Sequence, residues 1–338
     1  MTGTPPSSDV GSGAGEPVFV LGSPRSGTTW LGKLFDSHPA VRYIHEPEIA
    51  FPPEAIPVFT PEGADHAAEM ARLAARWQGT WHPRSRATVP VFPKSYPAGW
   101  WSRRPVVHAA RAAYHVLDRG LGAKGLWPAL PEPARGLPVI KGVNLLGRVP
   151  ALLAACPRAQ IIHVVRHPCA QVASLLRQRR AEPRRVPARV PVSALPSSRC
   201  AARLGLDAAR LDAATDTERA AWQWLCFNDD VAALADPRIL TVAYDNFVTE
   251  PEAMLRRLFA FAGLDLPAQT RAFLDRRAEG GGRAGRYSLV RDPQTALNRW
   301  RRELSPDDQA AILEIAQATE LAARLGFGAA APASAERS

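Results

Sequence analysis

The stretch "PVFVLGSPRSGTTWLGKLFDSHP", Pro17 to Pro39, carries a short apolar run straight into a glycine-bounded loop and then into a helical pattern of Trp30, Leu31, Leu34 and Phe35. A strand that ends in such a loop and opens a helix aims backbone N–H groups at an anion, and it demands a parallel sheet whose carboxyl edge carries the loop. From Gly22 the loop reads G-x-x-x-x-G-T-T, whereas nucleoside-triphosphate loops read G-x-x-x-x-G-K-[ST]. Thr28 therefore stands where a lysine would grip the β- and γ-phosphates. The cradle still offers the amides of Ser23 to Thr29, the amino end of the helix, two threonine hydroxyls and the Arg25 guanidinium. No later strand ends in an acid placed to hold Mg²⁺, so a doubly charged γ-phosphoryl group is poorly provided for and a less charged transferring group fits better.

The rest of the chain repeats the strand-then-helix rhythm. Apolar runs at Pro17–Gly22, Val41–Glu46, Leu137–Gly142, Ala159–Arg166 and Arg238–Tyr244 read as strands buried on both faces. Helical patterns fall at Gly27–Asp36, Pro168–Arg180, Thr217–Leu234 and Glu252–Ala262. Together they predict a P-loop-like three-layer α/β/α fold around a mainly parallel five-stranded sheet, with ligands beyond the carboxyl ends of the strands. Between 51 and 136 the rhythm breaks into a segment rich in proline and tryptophan, with helices expected at Ala64–Trp77 and Val106–Arg119. This insertion is either a substrate-facing cap or a structural excursion whose aromatic residues pack. One domain is expected over 17–325, flanked by disordered tails at 1–16 and 326–338. The first tail lacks the apolar run of a signal peptide, and no stretch approaches the roughly 18 apolar residues of a membrane span, which makes the cytoplasm the expected address.

A net charge of +10 admits nucleic acid, an anionic membrane or a polyanionic small molecule as partner, and arginine clusters such as "RQRRAEPRR" read equally well as solvated surface. No nucleic-acid-binding motif accompanies the charge. The four cysteines show neither C-x-x-C pairing nor zinc spacing, so reduced, mostly buried thiols are expected.

The motifs carry a resemblance. "PRSGTTWL" is similar to the 5′-phosphosulfate loop of the sulfotransferases that use 3′-phosphoadenosine 5′-phosphosulfate (PAPS), and "IIHVVRHPCAQVASLL" to their 3′-phosphate segment. "VAYDNFVTEPEAMLRRLFAFAGL" and "NRWRRELSP" resemble later blocks of that superfamily, the second a basic loop that closes over the nucleotide. The resemblance implies nucleotide binding by Arg25, Ser26, Gly27, Thr28, Thr29, Trp30, Arg166 and Ser174, release of adenosine 3′,5′-bisphosphate, and no required metal. A sulfuryl group carries one negative charge where a phosphoryl group carries two, which accounts for the missing lysine.

In-line sulfuryl transfer needs a base at the acceptor hydroxyl and cations near the bridging oxygen. Glu46, ending the second strand in the place where carbohydrate and tyrosylprotein enzymes carry a glutamate, is the candidate base; a structural carboxylate paired with arginine is the alternative, and His45 and Glu48 compete with it. Strand alternation sets His45 on the opposite side from Glu46. Lys141 and Arg25 are the candidate catalytic cations, Lys141 standing against a plain surface lysine. Arg166 has a salt bridge to an acid such as Asp229 as its alternative role. His108 and His115 read as packing residues, with contact to substrate as the alternative, Tyr287, Arg291 and Arg301 as residues that close over the nucleotide, and Trp77, Trp81, Trp100 and Trp101 as stacking or core residues. The expected partner is a hydroxylated small-molecule or sugar acceptor, without nucleic acid and without a membrane span; a homodimer stays open. Two rivals remain, a small-molecule or nucleotide kinase and a basic nucleic-acid-binding protein.

Overall fold

The structure, a computed structural model, describes residues 16–61, 66–96, 104–120, 130–132, 135–181, 191–278 and 297–327. Trp100, Trp101, Tyr287, Arg291, the side chain of His115 and nearly all of both expected tails lie outside the described residues.

Five strands, β1 (Val18–Leu21), β2 (Val41–His45), β3 (Leu137–Gly142), β4 (Gln160–Val165) and β5 (Ile239–Ala243), form one sheet in the order β2-β3-β1-β4-β5. Every neighbouring pair is parallel. The expected α/β class and all five strand positions are met. On one face Val18, Val20, Val139, Ile162 and Val164 pack with Leu31, Leu34 and Phe35 of α1 (Thr28–Ser37). On the other, Phe19, Leu21, Ile140 and Ile161 join a cluster that includes Trp77, Leu152 and Trp224. Burial on both faces is why these strands read as continuous apolar runs and not as alternating ones.

The insertion supplies α2 (Ala67–Gly79) and α3 (Arg104–Gly120), close to the two helices expected there. A short helix between them, Pro83–Arg86, packs against β2 and covers that edge of the sheet. Its Arg86 donates to the Tyr43 carbonyl and pairs with Glu132, which also lies 3.8 Å from the wholly buried Arg42. The insertion is fastened to α1 as well: Lys33 Nζ bonds Asp36 at 2.7 Å and Thr88 Oγ1 at 2.9 Å, and Lys94 Nζ lies 3.1 Å from Asp36. Trp77 and Trp81 are buried, and the Trp77 indole donates to the Phe51 carbonyl, so both pack as core residues.

Beyond β3 come α4 (Val149–Ala155), α5 (Pro168–Ala181), which follows β4, and α6 (Asp216–Ala232). The start of α6 is written in the sequence: Thr215 and Glu218 form a reciprocal capping box. After β5, α7 (Pro251–Phe261) packs Met254, Leu255, Leu258 and Phe259 under the α1 face. All four cysteines are buried and free. No described helix is long and apolar enough to cross a membrane.

Candidate active site

β1 leads to β2 on one side of the sheet, and β4 leads to β5 on the other. The connections diverge between these neighbours, which is where a parallel sheet opens a ligand crevice. The β1 loop fills that point under tight constraint. A Cβ on Gly22 would lie 2.7 Å from the Val164 carbonyl, so the loop rests directly on β4. Gly27 has φ +96°, and a Cβ there would lie 2.2 Å from the Tyr244 ring; only glycine satisfies both demands. Arg25 takes a left-handed conformation, φ 75°, which turns its side chain out of the loop toward α5. Thr28 and Thr29 are the first two helical residues, whose amides have no acceptor within the helix.

The two halves of the motif meet here. Arg25 Nε donates to Ser174 Oγ at 3.0 Å, and Arg166 Nη1 donates to the Arg25 carbonyl at 3.3 Å. The Arg166 guanidinium stands 5.5 Å over the Tyr244 ring, its pKa lowered by burial against the opposing pull of Tyr244 and Asp245. Asp229, its alternative partner, pairs instead with Arg203. Asp245 accepts the His167 amide at 3.0 Å and fixes the exit from β4. Alongside lies an open recess lined by Arg166, Arg177, Arg299, Trp300 and Glu303. Arg177 Nη2 reaches Ser174 Oγ at 3.3 Å, and both Arg177 and Arg299 pair with Glu303. Sequence reasoning missed these last three. Arg177 was hidden in a charge cluster, although its place three residues after Ser174 sets both on one helical face.

Two expected nucleotide residues sit differently. The Ser26 amide donates to the Ser23 carbonyl at 3.1 Å, and its hydroxyl is buried beside Gly22, so Ser26 shapes the loop from within. The Trp30 ring packs edge-on to Phe247 at 4.4 Å and serves the contact between α1 and the segment after β5. Arg301 is exposed, its guanidinium 4.5 Å over the Trp300 ring, and His108 is exposed on α3.

A second group occupies the ends of β2 and β3. β3 lies between β1 and β2, which sets the β2 end, and Glu46 with it, about 10 Å from the β1 end at the usual strand spacing. Lys141 fills the interval. It pairs in register with Val20 on one side and His45 on the other, and its buried Nζ donates to Glu46 Oε1 at 2.5 Å. The Glu46 amide returns a bond to the Lys141 carbonyl at 2.7 Å. Lys141 is therefore no surface lysine.

Nor does alternation separate His45 from Glu46. Glu46 has left strand geometry, φ 43° and ψ 52°, and its Oε1 lies 3.8 Å from His45 Nε2. Burial drives the His45 pKa down to about 3, with Glu46 opposing, so the ring is neutral near pH 7. Its Nδ1 lies 2.9 Å from the Tyr43 hydroxyl. Glu48 is buried and accepts the Val143 amide at 2.9 Å; burial and then Glu46 raise its pKa to about 7. Shut away behind the strand ends, it braces the turn after β3, while Glu46 keeps some solvent contact.

The site thus combines a parallel sheet, a glycine-bounded loop at its switch point and a carboxylate–lysine pair at the ends of β2 and β3. The chain belongs to the sulfotransferase family, whose profile matches residues 17–268. It is similar to the sulfotransferase domain of the Synechococcus PCC 7002 olefin synthase, at 18% identity and a TM-score of 0.45 over 89% of this chain and 94% of that one. Mouse sulfotransferase SULT7A1, solved in complex with PAP, aligns at 15% identity and a TM-score of 0.46 over 93% and 89% of the two chains. Sulfotransferase STF9 from Mycobacterium avium aligns at 18% identity and 0.39 over 86% and 76%. No curated protein matches the sequence.

Proposed function

We propose that this protein transfers a sulfuryl group from PAPS to a hydroxyl of a small-molecule or saccharide acceptor. The Arg25–Ser174 hydrogen bond carries the reading, because it joins the two halves of the motif across β1 and β4 into one basic recess. The residues present fit such a nucleotide. Arg25 and the amides of Thr28 and Thr29 would hold the 5′-phosphosulfate, while Arg166, Ser174 and Arg177 would hold the 3′-phosphate. When bound, the nucleotide supplies an activated sulfur–oxygen bond, whose cleavage leaves adenosine 3′,5′-bisphosphate.

The chain's own residues then divide the work. Glu46 takes the proton from the acceptor hydroxyl as the oxygen bonds to sulfur. Lys141, fixed by its bond to Glu46, keeps the carboxylate aimed and puts a cation between the base and the loop. Arg25 and Lys141 would stabilise the charge that develops on the bridging oxygen. Neutral His45 and buried Glu48 hold the strand ends in place.

Thermal stabilisation separates this reading from the kinase and nucleic-acid alternatives. Adenosine 3′,5′-bisphosphate should raise the melting temperature, and ATP–Mg²⁺ and duplex DNA should not. Stabilisation by either of the latter without the bisphosphate refutes the proposal.

A further inference from the structure

The short helix Pro83–Arg86 brings two arginines against the β2 end, and their surroundings differ sharply. Arg86 is engaged by the Tyr43 carbonyl and by Glu132. Arg84 makes one long hydrogen bond, Nη1 to the Tyr114 hydroxyl at 3.4 Å. Its nearest carboxylate oxygen, Glu46 Oε2, lies 3.8 Å from Nη2, beyond hydrogen-bonding distance, and that carboxylate is already committed to Lys141 through Oε1. Arg84 Nε is closed off from solvent with no hydrogen-bond partner. A five-donor guanidinium beside the candidate base is thus held in place and left under-used.

What holds it is on the page. The His82 ring accepts the Arg84 amide at 3.2 Å and caps the helix, and Tyr114 of α3 steadies one edge of the fork. The side chain keeps 23% of its surface exposed. Among the described residues, two cations, Lys141 at 2.5 Å and Arg84 at 3.8 Å, flank the Glu46 carboxylate, and His45 is neutral. Glu48 is occupied with the Val143 amide.

We infer that Arg84 is the docking point for a carboxylate carried by the acceptor, close to the hydroxyl that is sulfated. This rests on Glu46 being the base. A carboxylate matches the planar Nη1/Nη2 edge and is recognised by a residue of the insertion and not of the sheet. The insertion thereby sets acceptor choice while the sheet sets the chemistry.

The test uses acid and ester pairs: 4-hydroxyphenylacetate against its methyl ester, and 4-nitrophenyl glucuronide against the glucoside, each with PAPS. In the wild type at least one acid should exceed its neutral partner by about tenfold or more in kcat/KM, expressed in KM, and Arg84→Gln should bring the ratio to within about threefold. Arg84→Lys should retain part of the preference. Titration calorimetry of the same pairs onto the complex with adenosine 3′,5′-bisphosphate reads binding without turnover, and Arg84→Gln must still be stabilised by that nucleotide to count as folded. Equal treatment of acid and ester, a preference that survives in Arg84→Gln, or no binding of either acid overturns the inference. Failure of the bisphosphate to stabilise the wild type removes the nucleotide reading and this inference with it. Stabilisation without acid preference removes the Arg84 role alone.

Discussion

The carboxyl edge of the sheet has two halves built on opposite plans. At β1 and β4 the loop is clamped by close packing: Gly22 rests on the β4 backbone, Gly27 lies under the Tyr244 ring, and the Arg25 side chain bonds across to Ser174. At β2 and β3 the functional groups are placed by side-chain ionic contacts, Lys141 to Glu46 with Arg84 behind, and an insertion outside the sheet contributes one of them. The first plan suits an invariant ligand, since a loop packed this closely tolerates little variation. The second suits a variable one, because among the described residues Arg84, unlike Arg86, makes no hydrogen bond to a strand and its exchange would alter what is recognised without disturbing the sheet.

Replacing the proposed base tests that division most severely. Glu46→Gln should lower kcat by roughly 10²- to 10⁴-fold while leaving the affinity for adenosine 3′,5′-bisphosphate within about twofold. Turnover close to wild type would dismiss Glu46, and a lost nucleotide affinity would show that the halves are not separate. The mirror experiment is Arg166→Ala, expected to weaken bisphosphate binding by about a hundredfold in a titration while acceptor KM moves little.

A smaller effect concerns pH. The folded chain holds the Glu48 proton up to about pH 7 against an ordinary value of 4.5, so the native state binds more protons than the unfolded one between those values. The contribution from this group is full below about 4.5 and is lost as pH rises through about 7. Urea midpoints of Glu48→Gln and wild type should therefore diverge in the variant's favour as pH climbs through that window. Parallel curves would mean that Glu48 titrates as it does unfolded. The mildest expectation is in the nucleotide half: Glu303→Gln frees Arg177 and Arg299 from an internal competitor and should tighten bisphosphate binding by about threefold. Weaker binding would assign Glu303 to orienting those arginines.

Much of the first half was legible in the sequence, because its parts are local: a strand, a glycine loop and a helix start in succession, and an arginine ending a strand two turns before a serine. The second half was legible only as a set of residues. Glu46 and Lys141 were found, yet their relation was not, since strand order decides that β3 lies between β2 and the loop. The left-handed turn at Glu46, which brings it near His45, has no glycine or asparagine to announce it. Arg84 and Glu303 reach the site through packing between distant segments, and no period or spacing encodes such contacts.

The sheet order has a further consequence. β1 is made first and sits at the centre, yet Val18 pairs with Val139 and Gln160, so both flanks of the earliest strand must wait for much later chain. During synthesis the run Val18–Leu21 therefore travels with its main chain unmatched, open to mispairing until both partner strands have emerged.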